Sequence, residues 1–189
     1  SVYQLLSERD IEWEKVDIFL GDERCVDPKS ELSNSLMLKN SLLTKYGSKA
    51  FFYEIFSDKK VDDNISKNLL ISKLNEKCNG KPPSFDLTLL GLGDDGHTAS
   101  LFPYQKDNNA DDLVIFNEGK GLKRISLTPK VLSASSNIIF LVSGASKQLA
   151  LQRLLDKDES QERTPSKLIK SSNQISIFCD EESSKELSI

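Results

Sequence analysis

Apolar and polar positions along the chain alternate between two periods from one end to the other. Short runs rich in β-branched and aromatic residues fall at 16–20, 51–56, 85–90, 113–116, 123–128, 137–142 and 175–179, and each reads as a strand. The run at 85–90 is continuous enough to predict a buried strand. Between these runs the spacing becomes helical. Val2, Leu5 and Leu6 share a face within 1–9; Leu36, Met37, Leu42 and Leu43 share one after the N-cap candidates Ser33 and Asn34; Ile65, Leu69, Leu70 and Leu74 share one within 62–78. Further helices are predicted after Pro129, over 147–155 and from Asp180 onward, with surface segments at 104–112 and 156–164. Strands alternating with helices predict an α/β fold, a mainly parallel sheet with helices on both faces. No repeat or linker interrupts the pattern, so 1–189 is expected to be one domain.

Three of the strand runs end in polar groups: Gly21-Asp22-Glu23-Arg24, Gly91-Leu92-Gly93-Asp94-Asp95-Gly96-His97 and Ser143-Gly144-Ala145-Ser146-Lys147. In a parallel sheet these ends lie along one rim, the edge where α/β proteins bind ligands. His97 is the only histidine of the chain, and imidazole is the side chain whose ordinary pKa lies nearest neutrality. It suits general-base attack on water if a carboxylate orients the ring, with Asp22 and Asp95 as candidates. Taken alone, 22–24 also reads as a solvated turn with a local ion pair, and His97 as a helix cap. Arg24, Arg124 and Lys147 are the candidate anion holders, two able to grip phosphate bidentately and one serving as a point charge near a helix start. Together these groups point to an enzyme acting on a small phosphorylated molecule.

Composition narrows the class. The formal net charge is -4, which gives no nucleic-acid footprint, and no apolar stretch has the length of a membrane span. Cys25, Cys78 and Cys179 are odd in number and form no zinc-type pair, so reduced cysteines and a cytoplasmic setting are expected. With one histidine and no ligand cluster at characteristic spacing, no metal is expected.

The blocks around Trp13 and 19–26, Ser33-Asn34, 85–103, Arg124-Ile125-Ser126-Leu127-Thr128 and Gly144-Ala145-Ser146-Lys147 resemble the glucosamine-6-phosphate isomerase/6-phosphogluconolactonase family, nearly end to end. The most specific block is Gly91-Leu92-Gly93-Asp94-Asp95-Gly96-His97-Thr98-Ala99-Ser100-Leu101-Phe102-Pro103. The resemblance implies a Rossmann-like sheet and hydrolysis of 6-phospho-D-glucono-1,5-lactone to 6-phospho-D-gluconate in the oxidative pentose phosphate pathway. It implies a small phosphorylated sugar lactone as partner, no cofactor, no nucleic acid or membrane, and a monomer or weak oligomer. His97 is then the base on water. Asp95 and Asp22 orient its ring or the substrate hydroxyls. Arg24, Arg124 and Lys147 bind the phosphate or nearby sugar oxygens, and backbone around Gly93 and Gly96 stabilises the oxyanion.

The family's deaminase branch shares the Asp-Gly-His turn but continues with Asn-Glu-Pro, and its glutamate takes part in the chemistry. Here Leu101-Phe102-Pro103 stands in that place, and phenylalanine transfers no proton. A sugar-phosphate sensor that binds without turnover is the other alternative. The family also opens with a strand and a Ser/Gly-rich phosphate loop ahead of its first helix. This sequence begins at that helix, so the resemblance implies a domain lacking its N-terminal strand and phosphate loop.

Overall fold

The computed structural model describes residues 2–56, 62–109 and 111–187. The chain divides into two compact units, Ser1–Lys77 and Cys78–Ile189. In the first unit the elements are α1 (Val2–Ser7), β1 (Asp17–Phe19), β2 (Asp22–Arg24), α2 (Asn34–Lys39), β3 (Phe51–Tyr53) and α3 (Asp63–Lys77). Ser1, the start of the first predicted helix, lies outside the described residues. The first and third strands pair in parallel, Asp17 opposite Phe51 and Phe19 opposite Tyr53. The Phe19 and Tyr53 rings stack with centroids 4.7 Å apart, the kind of cross-strand pair that stabilises a short ladder.

The charged run 22–24 is not the solvated turn that it also reads as when taken alone. It is a strand, and Glu23 is only 1% exposed. Its carboxylate accepts the backbone N–H groups of Arg24 and Asn34 on Oε1, at 2.8 and 2.7 Å. On Oε2 it accepts Ser35 N–H at 2.7 Å and the Ser33 hydroxyl at 3.1 Å. Ser33 is the N-cap of α2, accepting Leu36 N–H at 3.2 Å. A buried carboxylate thus gathers the orphan donors at a helix start, where negative charge is favoured.

Three helix faces differ from the expected ones. On α1, Val2 and Leu5 are exposed and the buried residue is Ser7. The second helix ends at Lys39, so Leu42 and Leu43 lie beyond it. The apolar residues buried here are Leu38 and Leu42, while Met37 is 42% exposed. On α3 the buried positions are Ser66, Leu70 and Leu74, and Ile65 and Leu69 face outward. The inward stripe runs through a serine, which an apolar count passes over.

The second unit carries β4 (Leu87–Gly91), β5 (Val114–Gly119), β6 (Leu122–Leu127), α4 (Pro129–Ser133), β7 (Asn137–Val142), α5 (Gln148–Leu155), β8 (Ile175–Cys179) and α6 (Glu181–Ser184). The order β4-β7-β8 is a parallel sheet, with Leu87 opposite Asn137, Gly91 opposite Leu141 and Val142 opposite Cys179. On β7, Ile138, Phe140 and Val142 are at most 3% exposed and alternate with more accessible residues. Each such side chain contributes about 1.5–3 kcal/mol on burial. The fourth strand buries one side, Thr88 and Leu90, and leaves Leu87 49% exposed, where a strand buried on both sides was expected. The fifth and sixth strands form an antiparallel hairpin, Val114 opposite Leu127 and Gly119 opposite Leu122, so the sheet structure is parallel with an antiparallel addition. Among the described residues no helix is long and apolar enough to cross a membrane.

Removing the anchor at α2 tests its importance. Glu23→Ala should lower the unfolding free energy by about 2–4 kcal/mol, because the Ser33, Asn34 and Ser35 donors lose a charged acceptor. Urea unfolding measures this, and a change within about 0.5 kcal/mol contradicts it.

Candidate active site

Parallel pairing of β4 with β7 brings their carboxyl ends out on the same side, so the turns 91–97 and 143–147 leave the sheet together. The second turn is fixed by Asp180, the N-cap of α6, whose two carboxylate oxygens accept Gly144 N–H at 3.1 and 3.0 Å and one of which accepts Ser183 N–H at 2.9 Å. The Ser183 hydrogen bonds, and then that of Gly144, hold the Asp180 carboxyl below its ordinary value. Lys147 ends the 3-10 turn Ala145–Lys147 and occupies the N-cap position of α5, as the spacing predicted.

The turn after β4 is closed by its own backbone. Gly93 N–H donates to the His97 carbonyl at 2.7 Å, and Gly96 N–H to the Gly93 carbonyl at 3.0 Å. Both amides, whose backbone the resemblance implies as oxyanion donors, are engaged within the turn. The shape of the two glycines is what the turn needs. A Cβ on Gly93 would lie 2.0 Å from His97 Nδ1 and 2.2 Å from Cε1. Gly96 has φ +92°, a region that disfavours side chains, and its α-carbon faces Thr164.

The imidazole that packs on Gly93 meets Asp95. His97 Nδ1 is 2.5 Å from Asp95 Oδ1, and His97 N–H donates to the same oxygen at 3.1 Å. Desolvation pulls the Asp95 carboxyl upward, but the hydrogen bonds from the His97 backbone and ring outweigh it and hold the group below its ordinary value. With Asp95 ionised, Nδ1 carries the proton of the neutral ring and Nε2 presents the lone pair. The His97 side chain is 18% exposed, so solvent reaches the ring.

Positive charge borders this pair. Lys120 Nζ lies 2.7 Å from Asp94 Oδ1. The Lys120 hydrogen bond chiefly, with Lys147 adding at longer range, depresses the Asp94 carboxyl. Arg124, on β6, is 6% exposed, and its Nε donates to the Gly119 carbonyl at 3.2 Å. Asp22 and Arg24 belong to β2 of the first unit. There the Asp22 carbonyl and Oδ1 accept Asn34 Nδ2 at 2.9 and 3.3 Å, and Arg24 Nη1 donates to the Leu32 carbonyl at 2.6 Å. Asp94, Asp95 and His97 set three possible ligand atoms within 4.8 Å of one another, although no such cluster was expected. A cation there would compete with Lys120 for Asp94 and with the imidazole for Asp95.

A buried polar frame, absent from the sequence expectations, supports the turn. Thr98 Oγ1 donates to the Gly91 carbonyl at 2.8 Å. Ser100 N–H donates to Ser126 Oγ at 3.2 Å, and Asn117 Nδ2 to the Ser100 carbonyl at 2.8 Å. The segment 156–164, expected at the surface, ends in the fully buried Thr164, and Ser166 N–H donates to the Gly96 carbonyl at 3.0 Å. Within 104–112, expected as a surface loop, Asn108 is buried and donates to the Phe102 carbonyl at 2.6 Å. Local sequence gives no sign of these long-range partners; the only hint is polar residues interleaved among apolar ones.

The sequence model of the family described as Glucosamine-6-phosphate isomerases/6-phosphogluconolactonase matches residues 1–177. A 6-phosphogluconolactonase of Nostoc sp. is 31% identical over 194 residues, covering 100% of this chain and 80% of the relative. One from Synechocystis sp. is 31% identical over 191 residues, covering 98% and 79%. The crystal structure of a 6-phosphogluconolactonase from Shewanella baltica matches with a TM-score of 0.82 at 25% identity, over 94% of this chain and 77% of its own.

Asp95→Asn tests the pair in two ways. Turnover of a substrate that needs His97 as base should fall about 10²-fold or more, since the amide favours the wrong tautomer. The lowered carboxyl also contributes stability that is present above its unfolded pKa of about 4 and lost as pH falls through its folded value. The melting temperature of Asp95→Asn should therefore fall less steeply than that of the wild type from about pH 5 downward. Parallel curves contradict the assignment.

Proposed function

The chain belongs to the glucosamine-6-phosphate isomerase/6-phosphogluconolactonase family, and we propose that it hydrolyses 6-phospho-D-glucono-1,5-lactone to 6-phospho-D-gluconate with His97 as general base. The observation that carries this reading is the 2.5 Å contact between His97 Nδ1 and Asp95 at the carboxyl end of β4. His97 Nε2 takes a proton from water as the oxygen attacks the lactone carbonyl carbon. The tetrahedral adduct then collapses, the bond to the ring oxygen breaks, and the imidazolium returns its proton to that oxygen. Asp95 holds the ring and stabilises the imidazolium while it exists.

Phe102 supports hydrolysis over deamination. It occupies the place of the deaminase glutamate, is 5% exposed, and packs on the His97 ring with centroids 4.6 Å apart. It offers that site volume and no proton. Lys147 and Arg124 are the proposed phosphate holders in this unit, and the reaction as written uses neither metal nor organic cofactor.

The wild-type protein should open the phosphorylated lactone far above its spontaneous rate, retain that rate after dialysis against a chelator, and release no ammonia from glucosamine 6-phosphate. Binding of 6-phosphogluconate with an unaltered spontaneous rate would instead identify a sensor, and ammonia release a deaminase. Lys147→Ala should raise KM for the phosphorylated lactone roughly ten- to hundredfold, the worth of a charge-assisted hydrogen bond. It should leave the weaker hydrolysis of unphosphorylated glucono-1,5-lactone unchanged. Equal effects on both lactones contradict the phosphate assignment.

A further inference from the structure

The Asp95 hydrogen bond fixes one nitrogen of the His97 ring, but a single hydrogen bond leaves the ring free to rock about the line of that bond. Two other surfaces confine it. One is the Gly93 backbone, which leaves no room for a side chain beneath the imidazole. The other is the Phe102 ring, with centroids 4.6 Å apart and planes tilted by 36°.

Phe102 is itself confined. A Cβ on Gly119 would lie 2.2, 2.3 and 2.4 Å from its Cε2, Cζ and Cδ2, so the hairpin backbone presses directly on the ring. The Arg124 guanidinium carbon lies over the same ring, 5.3 Å from its centroid. Arg124 Nε also holds the Gly119 carbonyl at 3.2 Å, and Lys120, next in the chain, joins the hairpin tip to Asp94 at 2.7 Å. The Phe102 backbone is tied by Asn108 Nδ2 at 2.6 Å. The β5–β6 hairpin tip is thereby coupled to the imidazole through one aromatic ring.

We propose that Phe102 is a positioning residue for His97, and that Gly119 is the seat that fixes the Phe102 ring. An apolar flat face suits this role. It excludes water from one side of the imidazole, offers Nε2 no competing hydrogen bond, and keeps the lone pair directed at the reacting water. The kinetic part of the proposal rests on His97 being the base; the structural part does not.

The chain's single histidine gives the test an unambiguous probe, because every imidazole signal in a nitrogen-15 NMR spectrum belongs to His97. Phe102→Leu keeps an apolar side chain but removes the flat face. Gly119→Ala keeps Phe102 but drives a methyl group into its ring. Each variant should lower kcat roughly ten- to hundredfold, the cost of misplacing a reacting group by about 1 Å, with KM changed less than threefold. Each should also shift the imidazole nitrogen resonances. The double variant Phe102→Leu/Gly119→Ala should lose no more activity than Phe102→Leu alone, because Cε2 and Cζ, the two atoms nearest the methyl, are gone. Melting curves establish that each variant is folded, and should Phe102→Leu fail to fold, Gly119→Ala carries the test.

A folded variant with unshifted imidazole resonances overturns the proposal, as does a loss confined to KM. Additive losses in the double variant overturn the Gly119 seat. Shifted resonances with unchanged kcat would support the positioning and instead refute His97 as the base.

Discussion

The imidazole of His97 lies where a side chain on Gly93 would otherwise be, and the rest of the second unit's chemistry depends on that contact. The turn can bring the ring so close only because residue 93 has no Cβ and because the Gly93 amide closes onto the His97 carbonyl. Ring placement then decides which nitrogen meets Asp95 and which is left to water. Substituting Gly93 would displace the imidazole itself, since the atoms in the way are ring atoms held at Nδ1 by the carboxylate.

Electrostatics completes what packing begins. The hydrogen bonds from His97 overcome desolvation to keep Asp95 ionised, which selects the Nδ1–H tautomer. Asp94, one residue earlier, is engaged by Lys120 and lies within the field of Lys147. Two adjacent carboxylates thus face different partners, one an imidazole and the other ammonium groups. The turn that carries Lys147 is tied to α6 through Asp180, so Lys147 and His97 are borne by separate loops at the ends of two neighbouring parallel strands.

Legibility in the sequence tracked how local the cause was. The apolar, β-branched run in Asn137–Val142 and the glycines, acids and histidine of 91–97 are local signals, and they placed β7 and the turn correctly. The run Asp22-Glu23-Arg24 was legible as polar groups near a strand end, but not the burial of Glu23, whose donors lie ten to twelve positions away. Met37 and Leu38 exchanged roles because the helix ends sooner than its apolar spacing suggests. Thr164, Ser166 and Asn117 brace the turn or the residues that follow it through contacts distant in sequence, and neither periodicity nor motif encodes such contacts. The resemblance supplied a role for the turn's histidine, and the fold supplied the hydrogen bond that equips it.

We propose that an imidazole oriented by Asp95 activates the water that opens the lactone. The most direct measurement is the rate of 6-phosphogluconolactone opening by His97→Gln at neutral pH, corrected for spontaneous hydrolysis, alongside calorimetric binding of 6-phosphogluconate. Loss of a general base predicts a fall in kcat of about 10²–10⁴-fold, with product affinity kept within a few fold. Turnover near the wild-type rate in a variant that still binds product would contradict it.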